Sequence, residues 1–391
     1  MSSLPHLDPA AAASLAAWLR GQESAMLACL EDWVGCESPS FDKAAVDRMS
    51  ERVAQSFAAA GDFQMQRLPA SACGDGLDLF ASGADPSLPE LLILGHCDTV
   101  YPIGTLAHQP FRVSDSLAWG PGVMDMKAGL VSALFAWRAL AAAALRPRRG
   151  IRFLFTGDEE IGSRASRGWI EDRARRACAV LVLEPGLGLE GHLKTARKGI
   201  ASYTLRARGR AAHAGVDFES GASAIVELAR RIVEIAAWSD PARGVSLNPG
   251  VIRGGTRSNV VAAEAEVECD LRAWQPADLE SLDRRLRGLV SGDPRVSLEL
   301  TGGINRPPMP RTSAIASLFA AARALALPLG LAIEESATGG GSDGNFTAAL
   351  GVPTLDGLGV AGAGAHSPQE HCRLDTWPPR TALLACLLLA L

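Results

Sequence analysis

The chain has 391 residues, more than one compact core usually holds, so two domains are expected. A net charge of −5, with no basic stripe interleaved with aromatics, excludes a nucleic-acid partner. The eight cysteines are scattered and form no C-x-x-C, which excludes a disulfide framework or zinc ribbon and fits a reducing, cytoplasmic setting.

Residues 10–19 are apolar, but no Lys or Arg precedes them and Asp8 does, so they read as an ordinary helix and not as a secretory signal. Val46, Met49, Val53 and Phe57 recur at helical spacing, with Gly61 as the expected C-cap. Residues 91–94, 151–155 and 179–183 are short continuous apolar runs, the pattern of strands covered by helices on both faces. The Ala- and Leu-rich stretch 126–145 is long enough for a crossover helix. Together these predict βαβ units and an α/β domain whose central sheet is mostly parallel and flanked by helices. Ligands collect at the carboxyl ends of such strands.

From Lys198 the texture changes. Tyr203, Leu205 and Ala207 alternate with Thr204, Arg206 and Arg208, as in a strand with one solvated face. A helix carrying Ile225, Leu228, Ala229 and Ile232 follows, then a strand over 245–252. Next comes a strand in which Val267, Cys269 and Leu271 alternate with Glu266, Glu268, Asp270 and Arg272. A helix over 277–289 and a strand at Val296, Leu298 and Leu300 complete the order βαββαβ of a ferredoxin-like module. The predicted division is a first domain from 1–197 and 308–391, with 198–307 inserted into it. The apolar tail 382–391 is far shorter than the roughly 20 residues that cross a bilayer, so it reads as a buried helix and no membrane partner is expected.

Five segments place metal-type side chains directly after apolar runs: Gly-His96-Cys-Asp98, Met-Asp125-Met, Asp-Glu159-Glu160, Leu-Glu184-Pro and Gly-Ala-His366-Ser. A single acid or imidazole at a strand end is ordinary, as a helix cap or a surface group. Five at the mouth of one inferred sheet suggest a co-catalytic pair of cations, because imidazole and carboxylate suit zinc and a bridging carboxylate can hold two ions about 3.5–4 Å apart. Such a pair acidifies a shared water and polarises a scissile carbonyl, while a nearby unligated carboxylate takes the proton to the leaving nitrogen. The adjacent Glu159 and Glu160 could divide ligation and proton transfer. Asp98 could fix the His96 ring by accepting its second N–H. Cys97 should point away from the ions on an extended segment.

The sequence strongly resembles the M20 family of zinc metallopeptidases, in its glutamate carboxypeptidase branch. The resemblance rests on GHCDTV (95–100), WGPGVMDMKAG (119–129), FTGDEEIGS (155–163), VLEP (182–185), GRAAHAG (209–215), GGTRSNVV (254–261), DLR (270–272), NRP (305–307), GGGSDGNF (339–346) and GAHS (364–367). It implies two zinc ions per subunit, with Asp125 bridging, His96 and Glu184 completing one site, and Glu160 and His366 the other. Co2+ or Mn2+ would suit the same donors. Glu159 would be the general base and Asp98 would orient His96. The resemblance further makes 198–307 a lid and dimerisation domain, whose His213 reaches the neighbouring subunit's site in a homodimer. Asn259, Arg272, Arg306 and the turn at Gly340 would hold the substrate's free carboxylate. Read without the resemblance, His213 could simply end a strand, Arg272 could be a surface ion pair with the acids on its face, and Arg306 could belong to a linker. The function implied is hydrolysis of N-acyl-amino acids or short peptides to release a C-terminal amino acid. A deacylase acting on acetylornithine or succinyl-diaminopimelate, and an inactive binder of amino-acid conjugates, are the alternatives. All five ligand positions and Glu159 are present, which speaks against the binder.

Overall fold

A computed structural model of the chain describes residues 7–391. They form two compact units. The first takes in the chain up to Ala196, Arg311–Thr338 and Ser342–Leu391; the second is Arg197–Pro310 with Gly339–Gly341.

The first unit is built on a six-stranded sheet in the order Gln64–Leu68, Gly76–Ala81, Ile151–Thr156, Glu90–His96, Ala177–Val182, Thr354–Leu355. The first two pairings are antiparallel and the remaining three parallel. Both faces are covered, which is why these strands read as unbroken apolar runs. Leu91 and Ile93 pack into one buried cluster with Phe153 and Phe155, whereas Leu92 and Leu94 pack into another with Leu154 and Val180. Each such leucine contributes roughly 2 kcal/mol on leaving water. The crossover helix Ala128–Ala142 is buried on nearly every side, and the carboxyl-terminal helix Trp377–Ala390 packs against it. The helix at 43–58 differs in its ending. Lys43–Ala58 stops at Ala59 in a right-handed conformation, and Gly61 is not the cap. A Cβ on Gly61 would lie 2.8 Å from Trp137 Nε1, so this glycine makes room for an indole instead.

The second unit has the elements Gly199–Arg208, Ala224–Ala236, Ser246–Gly254, Glu264–Ala273, Pro276–Arg287 and Ser297–Arg306, strand-helix-strand-strand-helix-strand. Its sheet is antiparallel, and Gly199–Arg208 lies between Glu264–Ala273 and Ser297–Arg306. Ala201, Tyr203, Leu205 and Ala207 share a core with Val267, Cys269, Leu271 and the helix residues Leu228 and Leu282. The last strand runs on to Arg306, past the point where alternation fades at Thr301-Gly302-Gly303. Arg306 is therefore a strand residue, 4% exposed, and not part of a linker. Among the described residues no helix is long and apolar enough to cross a membrane.

Candidate metal centre

Parallel strands deliver three of the five acid- and histidine-bearing segments by their carboxyl ends. His96 closes Glu90–His96, the turn Glu159–Ile161 follows Ile151–Thr156, and Glu184 comes just after Ala177–Val182. Asp125 sits in an irregular turn, Val123–Lys127, with φ −114° and ψ 93°, and its peptide bond to Met126 is cis. That turn is entered through Gly122 at φ 71°, where a Cβ would come within 2.7 Å of Thr99 Cγ2. His366 follows the short strand Gly362–Ala363 and has φ 61°, a left-handed conformation uncommon for a residue with a side chain.

The five side chains meet. Asp125 Oδ1 is 3.2 Å from His96 Nε2, and Asp125 Oδ2 is 3.3 Å from His366 Nε2. Each imidazole also faces a carboxylate of its own: Glu184 Oε1 lies 3.6 Å from His96 Nε2, and Glu160 Oε2 lies 3.1 Å from His366 Nε2. Glu159 offers an oxygen to the His96 and Glu184 side, the three donor atoms lying within 4.8 Å of one another. Asp98 acts differently from the sequence expectation. His96 Nδ1 is 3.0 Å from the main-chain oxygen of Asp98 and 3.4 Å from its Oδ1. The carboxylate instead accepts the main-chain N–H groups of Glu159 and Glu160, each at 3.2 Å, and the Ser40 hydroxyl at 2.7 Å. Asp98 thus holds the ring mainly through its backbone and fixes the Glu159-Glu160 turn with its side chain.

This donor set fits divalent cations. With its Nδ1 proton given to a carbonyl, a neutral His96 turns the Nε2 lone pair towards two carboxylate oxygens, and only a proton or a cation between them removes the repulsion. Glu160 Oε1 is buried without a hydrogen-bond partner. The same electrostatics favour protons on these groups. The Asp125 and Glu160 carboxylates push the His366 imidazole up to about 11. Burial opposes charge on His96, yet Asp125, Asp98 and Glu184 raise it well above its ordinary value. Burial raises Glu160. Burial also works to raise Asp125, but the two imidazoles hold it well below the usual carboxylate range. Loading with Zn2+ must displace these protons, so apparent affinity is expected to rise with pH, about tenfold per unit for each proton displaced. Competition against a chromophoric chelator at pH 6, 7 and 8 reads this directly, and a flat profile would refute it.

In the second unit the residues assigned to substrate separate into two groups. His213 is exposed; its Nδ1 accepts the Gly215 N–H at 3.2 Å, which leaves the ring proton on Nε2. Asn259 is tied to the same hairpin, its carbonyl accepting the Ala214 N–H at 3.0 Å. Arg272 and Arg306 stand elsewhere, both paired with Ile200 from the strands on either side. Arg208 lies eight residue steps along the strand from Ile200, about 26 Å at ~3.3 Å per step, and the His213 hairpin lies beyond Arg208. Asn259 therefore does not join Arg272 and Arg306 around one small carboxylate within a single chain.

Arg272 has fixed partners. It donates to Asp270 Oδ1 at 2.8 Å, to Asp270 Oδ2 at 3.2 Å and to the Gly339 carbonyl at 2.8 Å. Arg197, 3% exposed, holds the next two carbonyls, those of Gly340 and Gly341, at 3.0 Å each. The glycine turn is thus pinned by two guanidinium groups. At Gly341 a Cβ would lie 2.7 Å from both Arg306 Cδ and Ile200 Cδ1, so the turn also seats the stem of Arg306.

With the geometry in place, comparison with known proteins decides the family: the sequence pattern of peptidase family M20/M25/M40 matches residues 92–390. The chain belongs to that family. It is 32% identical over 308 residues to carboxypeptidase G2 of Pseudomonas sp. (strain RS-16), covering 77% of this chain and 74% of the relative. It is 29% identical over 380 residues to the succinyl-diaminopimelate desuccinylase of Leptothrix cholodnii, covering 90% and 95%. Its fold matches that of aminopeptidase PepT from Bacillus cereus at a TM-score of 0.76 and 20% identity, over 94% of this chain and 98% of the other. The M20 metallo-carboxypeptidase Sso-CP2 of Sulfolobus solfataricus matches at a TM-score of 0.72 and 16% identity, over 93% and 99%. As a member of the M20 family, the chain is a metal-dependent amide hydrolase.

Three residues with structural roles escaped sequence reading, two beside the metal centre and one in the second unit. Glu370 is fully buried behind the Asp125 turn, Lys127 is buried with Nζ on the Cys36 carbonyl at 2.8 Å, and Arg197 pins the glycine turn. Nothing local distinguishes them: Glu370 follows Ser-Pro-Gln, and Lys127 and Arg197 stand where a solvated charge would look the same.

Proposed function

We propose that the chain is a two-zinc hydrolase that releases a C-terminal amino acid from an N-acyl or short peptidyl group. The observation that carries this reading is the arrangement at Asp125, whose two oxygens each face a different imidazole, each imidazole having its own glutamate. His96 and Glu184 would hold one ion, Glu160 and His366 the other, with Asp125 shared. Bound there, divalent cations supply Lewis acidity towards a carbonyl and acidify water. Glu159, beside His96 and Glu184 but assigned to neither ion, takes the proton of the attacking water and passes it to the leaving nitrogen. The buried guanidinium of Arg306 reads the substrate's free carboxylate, a match of planar fork to planar anion. Arg272 supports the Gly340 turn on the edge of that pocket.

His213 and Asn259 are best placed to serve another subunit's site, because their hairpin lies so far from Arg306 along the same sheet. With its proton on Nε2, His213 can donate to the carbonyl oxygen as charge develops there. This reading makes Arg197–Pro310 a lid and dimerisation unit and the working form a homodimer. The similarity to carboxypeptidase G2 supports a glutamate-like leaving group. The longer match to succinyl-diaminopimelate desuccinylase supports a second reading, removal of a succinyl group from an amine. Among the described residues all cysteines are free, which supports a reducing, cytoplasmic setting.

The test is a hydrolysis panel with Zn2+ supplied: N-acyl-amino acids and dipeptides with different C-terminal residues, N-succinyl amines, and C-terminal amides of the best substrates. Turnover is expected for compounds with a free C-terminal carboxylate, with kcat/KM at least about 100-fold lower for their amides, because a neutral amide cannot give a guanidinium the charged, two-point contact of a carboxylate. Equal rates for acid and amide would overturn the carboxylate pocket, and turnover confined to N-succinyl amines would select the second reading.

A further inference from the structure

Glu370 lies behind the metal centre and touches none of the groups assigned to substrate. Its side chain is fully buried, and its hydrogen bonds come from a hydroxyl and from main-chain amides. Its Oε1 accepts the main-chain N–H groups of Met124 at 2.8 Å and Asp125 at 3.1 Å, and its Oε2 accepts that of Gly122 at 3.2 Å. One carboxylate therefore gathers three amides of the turn that presents Asp125. The remaining contact is the Tyr101 hydroxyl, which donates to Glu370 Oε2 at 2.5 Å and lies 3.0 Å from the Ser367 carbonyl. Ser367 directly follows His366, and Glu370 follows it by four residues on the same short segment.

A buried carboxylate is costly, and here three of its hydrogen bonds go to the Asp125 turn and the fourth to Tyr101, which also reaches the Ser367 carbonyl. They fasten the His366 segment to the Asp125 turn. His96 and Glu184, in contrast, are carried by strands of the central sheet and need no such fastening. We propose that Glu370 and Tyr101 are positioning residues that set the gap between Asp125 and His366, so that the ion held by Asp125, Glu160 and His366 depends on them far more than the ion held by His96, Asp125 and Glu184. This rests on the two-ion reading above and adds an inequality between the two ions.

The test is stepwise loading of the full chain, stripped with a chelator and titrated with Zn2+ against a chromophoric competitor and with Co2+ by its visible spectrum. Glu370→Gln is expected to weaken one of the two ions 10- to 100-fold, the usual size for losing the partner of a ligand, and the other less than about threefold. The absorbance of the second Co2+ equivalent should change while that of the first is retained. Tyr101→Phe should act on the same ion by about 3- to 10-fold, the effect of one hydrogen bond, and decides the matter if Glu370→Gln does not fold by circular dichroism. Equal weakening of both ions, or no weakening in a folded variant, overturns the inference. Asp125→Asn separates the two ideas: if it removes the pair while both brace variants load like wild type, the brace alone is refuted. A wild-type chain that takes up fewer than two ions refutes the two-ion reading and the brace with it.

Discussion

Replacing Glu159 with alanine is expected to lower turnover about 10³-fold while the protein retains wild-type metal content. The expectation follows from how the residue is held. Its main-chain N–H is fixed to Asp98 Oδ1, so the turn and the neighbouring Glu160 keep their place when the side chain is cut back. What is lost is a carboxylate beside the imidazole of His96, and with it, on the proposed mechanism, the carrier of a proton between water and leaving nitrogen. Metal content by atomic emission and kcat on the best substrate measure the two halves separately. Unchanged turnover would remove Glu159 from the mechanism, and loss of metal along with activity would make it a ligand.

A second large effect is expected at His213, on the proposal that it donates to the substrate oxygen from a neighbouring subunit. His213→Ala should lose about 10²- to 10³-fold in kcat, as when one hydrogen-bond donor to a developing oxyanion is removed. The informative experiment mixes this variant with Glu159→Ala. Each parent is nearly inactive. Random exchange at equal amounts makes about half the dimers hybrid, and one of the two sites in each hybrid then combines an intact base with an intact histidine. About a quarter of wild-type activity should return. Failure of activity to return, in mixtures shown by mass to contain hybrids, would place His213 in its own subunit's site or outside catalysis.

The parts legible in the sequence were those where burial writes a pattern. Leu91 to Leu94 alternate between two cores and so appear as one apolar run, and the acids and imidazoles that end such runs do lie side by side around Asp125. Contacts made by main-chain atoms left no such trace. Asp98 orients His96 through its carbonyl and spends its carboxylate on two amides, which its position two residues after His96 does not reveal. Glu370 also binds main-chain amides, and no composition rule marks an acid that does so. The resemblance grouped Asn259 with Arg272 and Arg306 around one carboxylate; only the register, with both arginines opposite Ile200, shows the length of strand between them. Gly61 looked like a helix cap since a cap and a cavity for an indole call for the same missing Cβ.

The order of segments in the first unit has a consequence for biogenesis. The strand Thr354–Leu355 joins Ala177–Val182 across an insertion that carries a complete sheet of its own, so the second unit can mature on the ribosome while the first still lacks an edge and its closing helix. His366 emerges last of the five metal-type donors. A nascent or stalled chain then holds at most a partial set of donors until His366 has left the ribosome.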